Sequence, residues 1–158
     1  MKIAATGSRP RRPPELAGPL YCDASALVKL YVPEVESEEL NRAVERRRDL
    51  LVSDLSVTEI ISSLGRRRRE GALDASIASR LHRAILGHVD AGLYRRVELV
   101  PAVHREAERL LLSIDAVPLR AADALHLALA ISGDAASLLT YDRHLASAAS
   151  SIGLGVFP

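Results

Sequence analysis

Apolar and polar positions follow two rhythms along this chain. Short apolar runs are separated by longer stretches in which apolar residues recur every three or four positions. That is the pattern of short buried strands interleaved with amphipathic helices. Strands are predicted over residues 20–23, 50–53, 96–101, 137–140 and 154–157. The first opens into a helix at Ser25. Further helices are predicted over 35–48, 56–70, 74–91, 103–114, 121–131 and 143–150. The helix over 56–70 carries arginines at 66–69 in its last turn and is followed by Gly71, a combination that ends helices. Strands alternating with helices predict an α/β fold, a three-layer α/β/α sandwich with a mostly parallel sheet of four to five strands.

Composition narrows the class. The 158 residues suit one domain and can bury a core without a disulfide or metal staple. No apolar stretch approaches 18 residues, which excludes a membrane helix. The single cysteine, Cys22, excludes an internal disulfide and a cysteine-based zinc cage, and it reads as a small core residue. Aromatic residues are 3% of the chain, which argues against a surface that stacks bases. Residues 1–18 are dense in Pro, Arg and Gly and lack the apolar centre of a signal peptide. They read as a disordered or non-native lead to a folded domain over 19–158.

The net charge of +1 conceals a division. Residues 1–18 hold four bases and one acid, so residues 19–158 hold 17 bases and 19 acids. Several of those acids fall at one kind of place. Asp23 ends the first strand, Glu59 lies early in the helix after the second, Asp123 is in the first turn of the helix over 121–131, and Asp142 follows the fourth strand. In parallel α/β sheets ligands bind beyond the carboxyl ends of the strands. Each acid has a structural reading. Asp23 and Asp142 suit helix N-caps, Ser56-Val57-Thr58-Glu59 has the form of a capping box, and Asp123 suits the positive end of its helix. Together they imply more, because caps alone do not require acids where Ser, Thr and Asn would serve. Four converging carboxylates repel one another unless a cation sits among them. Oxygen-only donors suit Mg²⁺ or Mn²⁺, the ions of metal-assisted phosphodiester hydrolysis.

Four segments then carry a resemblance. They are residues 21–29 (YCDASALVK), Ser53 to Leu64 with Glu59, residues 120–128 (RAADALHLA), and Leu139-Thr140-Tyr141-Asp142. In this order and spacing the chain resembles PIN-domain proteins of the VapC-type ribonuclease toxins, from about Leu20 to Phe157. The resemblance implies a cytoplasmic Mg²⁺- or Mn²⁺-dependent endoribonuclease that leaves a 5′-phosphate and a 3′-hydroxyl. It implies three partners: an RNA substrate, a cognate antitoxin and a second copy of the chain. It assigns Asp23, Glu59, Asp123 and Asp142 as catalytic acids and metal ligands, with Ser25 and Thr140 as helpers. The alternative within the same fold is a non-catalytic RNA- or protein-binding module. A phospho-receiver domain would need a lysine after a late strand, but the only lysines are Lys2 and Lys29. A nucleotide-binding fold would need a glycine-rich loop after the first strand, and none is present.

The remaining polar residues have plainer readings. Lys29 reads as part of a solvated helix face, His126 as a partly buried structural histidine, Asp54 as a turn residue held in reserve for Glu59, and Glu34 as the start of the second helix. The arginines at 46–48 and 66–69 suit helix ends or RNA phosphates. Arg66 is set apart as a substrate contact because, seven residues after Glu59, it falls on nearly the same helix face.

Overall fold

The computed structural model describes residues 16–158, so the expectation for most of the N-terminal lead lies outside the described residues. The chain there forms β1 (Leu20–Cys22), α1 (Ala24–Lys29), α2 (Ser37–Val44), β2 (Leu50–Ser53), α3 (Asp54–Arg69) and α4 (Ala75–Asp90). It continues through β3 (Arg95–Val97), α5 (Pro101–Ser113), α6 (Ala121–Ser132), β4 (Ser137–Leu139), α7 (Arg143–Ser151) and β5 (Gly155–Phe157). The five strands form one sheet in the order β3-β2-β1-β4-β5, and every neighbouring pair is parallel. The α/β fold expected from the alternating pattern is present.

Strand periodicity divides the core. Leu20 and Cys22 pack on one face of β1 and Tyr21 on the other. Leu50 and Val52 likewise oppose Leu51, and Leu139 opposes Leu138. One face buries Leu27, Ile60, Leu64 and Ile85 from α1, α3 and α4, and the other buries Leu110, Leu127, Ala128 and Leu145 from α5, α6 and α7. Because the middle of the sheet is covered on both sides, β1, β2 and β4 are buried along their length and mostly apolar, while the edge strand β3 exposes Arg95 and Arg96. Each fully buried leucine contributes about 2 kcal/mol. β1 lies at the centre and pairs with Leu50, Leu51 and Val52 on one side and with Ser137, Leu138 and Leu139 on the other. Its carboxyl end is therefore where the chain changes direction across the sheet, the usual place for a ligand cleft.

Some boundaries differ from expectation for identifiable reasons. β2 feeds α3 directly, and Ser53 caps it by accepting from the Ser56 backbone N–H at 3.0 Å. The helix thus begins at Asp54, and Ser56 to Glu59 is not its capping box. β3 ends at Val97, and Pro101 starts α5, where its missing N–H costs nothing. Glu34 precedes α2 and does not start it; it accepts from Lys29 and Arg67. Gly71, at φ 72°, supplies the left-handed turn after α3 that its position predicts. At the described N-terminus, the Leu16 carbonyl accepts from Arg47 Nη1 at 2.9 Å and the Ala17 carbonyl from Ser137 Oγ at 2.7 Å.

Candidate active site at the carboxyl edge of the sheet

Asp23 leaves β1 as the N-cap of α1. Its Oδ1 accepts from the Ala26 backbone N–H at 2.8 Å, and its Oδ2 accepts from Thr140 Oγ1 at 2.6 Å. Ser25 Oγ lies 2.8 and 2.9 Å from the two carboxylate oxygens. The same two hydroxyls also accept from the loop after β4: Ser25 Oγ from the Tyr141 N–H at 2.8 Å and Thr140 Oγ1 from the Asp142 N–H at 3.0 Å. Ser25 and Thr140 thereby fasten the end of β1 to the end of β4. Asp23 is only 4% exposed. Burial raises its pKa, against the opposing pull of the Thr140 and Ala26 hydrogen bonds, the nearby His126 and the Ser25 hydroxyl.

The other three acids arrive from three helices. Asp123, in the first turn of α6, accepts from the Arg120 N–H at 3.1 Å. Asp142 caps α7 by accepting from His144 and Leu145 at 2.8 and 3.1 Å. Glu59, in the second turn of α3, meets His126 Nε2 at 2.8 Å. All four acids line one cleft of about 240 Å³, together with Ser25 and Arg120. The bland and the chemical readings of the acids therefore coincide: Asp23 and Asp142 are helix N-caps, Asp123 closes back on the Arg120 N-cap of α6, and all three line the cleft.

The donor set is compatible with a hard divalent cation. Glu59 Oε1, Asp123 Oδ1 and Asp142 Oδ2 accept no hydrogen bond among the described residues. Asp23, beside them, is a buried carboxylate whose ionised form burial disfavours. As placed, no three His, Cys, Asp or Glu side chains among the described residues close around a single point. The four carboxylates are oxygen donors of the type Mg²⁺ or Mn²⁺ takes and line one cleft, in an open arrangement.

Asp54 and Lys29 stand otherwise than expected. Asp54 is the first residue of α3, away from the cleft; it pairs with Arg96 at 2.7 Å, accepts from the Leu99 N–H at 3.2 Å and lines a separate cavity. Lys29 is not solvated. Its ammonium binds Glu34 at 2.5 Å and Glu36 at 2.8 Å and lies 4.7 Å from the centre of the Tyr141 ring. Arg66 is exposed, outside the lining of the cleft, and makes no ion pair among the described residues. Cys22 is a buried free thiol whose pKa burial raises.

Sequence reasoning missed a string of polar groups under the cleft. The Tyr21 hydroxyl lies 2.7 Å from Ser53 Oγ and 2.8 Å from His126 Nδ1. Ser53 Oγ lies 2.9 Å from Ser56 Oγ, which donates to the Cys22 carbonyl at 2.9 Å. The one available signal was a tyrosine in the middle of a buried strand, because a buried hydroxyl requires partners.

Residues 20–150 match the sequence profile of the PIN domain. A curated relative named Ribonuclease VapC46, from Mycobacterium tuberculosis, is 33% identical over 140 residues, covering 87% of this chain and 95% of the relative. Ribonuclease VapC3, from Pyrobaculum aerophilum, is 40% identical over 62 residues; that match covers 39% of this chain and 47% of the relative, so it spans about half the relative's length. Among solved structures, Mycobacterium tuberculosis VapC20, described as a Sarcin-Ricin loop cleaving toxin, superposes with a TM-score of 0.67 at 15% identity, covering 86% of this chain and 96% of its own. FitAcB from Neisseria gonorrhoeae gives 0.68 at 16% identity, covering 88% and 96%. At such identities these two likenesses establish the fold.

Proposed function

We propose a function that starts from an established fact: this chain belongs to the PIN-domain family. It is a divalent-cation-dependent endoribonuclease and the toxin component of a VapBC-type toxin–antitoxin pair. The observation that carries this reading is the meeting of Asp23, Glu59, Asp123 and Asp142 in one cleft, with an uncommitted oxygen on each of the last three. The names of the curated relatives support it. These four acids would hold Mg²⁺ or Mn²⁺, which when bound supplies Lewis-acid polarisation of the phosphoryl group and activation of water.

The protein's own groups prepare the cleft. Ser25 and Thr140 restrain Asp23 so that its oxygens keep one direction, and α1, α6 and α7 hold Asp23, Asp123 and Asp142 through backbone N–H groups. RNA would be gripped by its phosphates, because the surface is rich in arginine and poor in aromatic rings. Arg66 is the candidate contact. The proposed partners are a cognate antitoxin and a second copy of the chain.

One observation favours a second reading, a non-catalytic PIN-fold RNA- or protein-binding module: all four acids accept hydrogen bonds within the fold. Digestion of a defined RNA with and without Mn²⁺, wild type beside Asp23→Asn, separates the two. Mn²⁺-dependent cleavage by wild type alone supports the nuclease; no cleavage by either protein, with RNA binding retained, supports the binding module.

A further inference from the structure

Three of the four cleft acids are held by backbone N–H groups at helix starts: Asp23 by Ala26, Asp123 by Arg120, and Asp142 by His144 and Leu145. Glu59 is the exception. It lies in the second turn of α3, where the backbone N–H groups are committed to the helix ladder, and Ser53 already serves the free one at Ser56. Among the described residues, its carboxylate's only hydrogen bond is to a side chain, His126. A glutamate has more side-chain torsions to fix than an aspartate, so ordering it costs more conformational entropy. The acid with the most freedom is thus the one without a backbone anchor.

His126 is built to supply that anchor. Its side chain is 5% exposed, against 36% for Glu59, so the pair spans the boundary between core and cleft. Both ring nitrogens are engaged, Nε2 with Glu59 and Nδ1 with the Tyr21 hydroxyl. An imidazole held at both ends cannot turn about its ring axis. Tyr21 is itself fixed: its ring is wholly buried, packs edge-on against the imidazole at 5.9 Å, and its hydroxyl is held by Ser53 as well. The string ends on the Cys22 carbonyl, next to Asp23. It therefore ties the placement of Glu59 to the same strand end that places Asp23.

We infer that His126, braced by Tyr21, is a positioning residue that holds Glu59 Oε2 and leaves Oε1 as the face offered to a divalent cation. This rests on the nuclease reading above. The test compares wild type, Tyr21→Phe, His126→Gln and His126→Ala, each checked for folding by circular dichroism. Mn²⁺ affinity of the RNA-free protein is read from the paramagnetic resonance of unbound Mn²⁺, and kcat and KM for RNA are measured separately. Tyr21→Phe keeps the buried ring and removes only the hydroxyl that links His126 to Ser53, which covers the case in which His126→Ala does not fold. Tyr21→Phe and His126→Ala should each weaken Mn²⁺ binding and lower kcat by about tenfold or more, with KM unchanged. His126→Gln, whose amide can still donate to Glu59, should recover part of the loss. Folded Tyr21→Phe and His126→Gln proteins with wild-type Mn²⁺ affinity and kcat would overturn the inference and leave the nuclease reading standing. A wild type that binds no Mn²⁺ would overturn both.

Discussion

Thr140 Oγ1 donates to Asp23 Oδ2 at 2.6 Å across 117 residues of chain. The bond joins the ends of two neighbouring strands, and the same hydroxyl accepts from the Asp142 N–H. Thr140→Val keeps the shape and deletes both interactions. It should destabilise the fold by about 1.5–3 kcal/mol, the range for hydrogen bonds to charged groups. Thr140→Ser should stay close to wild type. Urea unfolding of the three proteins measures the difference.

Asp23 makes stability depend on pH in an unusual direction. Its folded-state pKa is raised, chiefly by burial. An acid raised in this way stabilises the fold below its unfolded pKa of about 3.9, and that contribution is lost as pH rises through the folded value. Without divalent cations, Asp23→Asn should melt above wild type at neutral pH, and the two should converge near pH 3. Mn²⁺ should close the neutral-pH gap by stabilising only wild type. Melting curves from pH 3 to pH 8 check this, and equal melting temperatures at every pH would contradict it.

Arg66 is exposed and unpaired among the described residues, so its loss should leave the fold intact. Arg66→Ala should raise KM for RNA with kcat nearly unchanged, the pattern of lost uniform binding. The salt dependence of RNA binding should flatten by about one counterion. Steady-state kinetics at two ionic strengths measure both.

Two glycines should respond in opposite directions to the same change. A methyl group on Gly87, in α4, meets nothing within 4 Å, so Gly87→Ala should stabilise by about 0.5–1 kcal/mol through helix propensity. At Gly133, the C-cap of α6, it would lie 2.8 Å from Leu51 Cδ1 and 3.1 Å from Val97 Cγ2. Gly133→Ala should therefore destabilise by about 1–3 kcal/mol through overpacking against the sheet. Thermal unfolding of both variants decides.

The layers were legible in sequence because strand and helix periods are local. The positions of Asp23, Asp123 and Asp142 were legible for the same reason, each following from its place at a strand end or helix start. The link between Glu59 and His126 was not, because it joins α3 to α6 across 67 residues and neither neighbourhood signals the other. The Ser56 to Glu59 pattern pointed the wrong way. It satisfied a local rule for a helix start that Ser53 had already taken one turn earlier. Lys29 reads as solvated on its own helix, and only the loop carrying Glu34 and Glu36 encloses it.

Placing β1 at the middle of the sheet makes the cleft a joint possession of two lengths of chain. The segment through α4 brings Asp23, Ser25 and Glu59; the segment from β3 onward brings Asp123, His126 and Asp142, and the Thr140 hydroxyl that holds Asp23. The seams between them are the β1–β4 and β2–β3 pairings. If the chain were severed in the turn at Gly92, neither fragment would hold the full set of acids. Mixed together, the fragments could regain it only by reassembling the sheet, which would make RNA cleavage a report on fragment complementation.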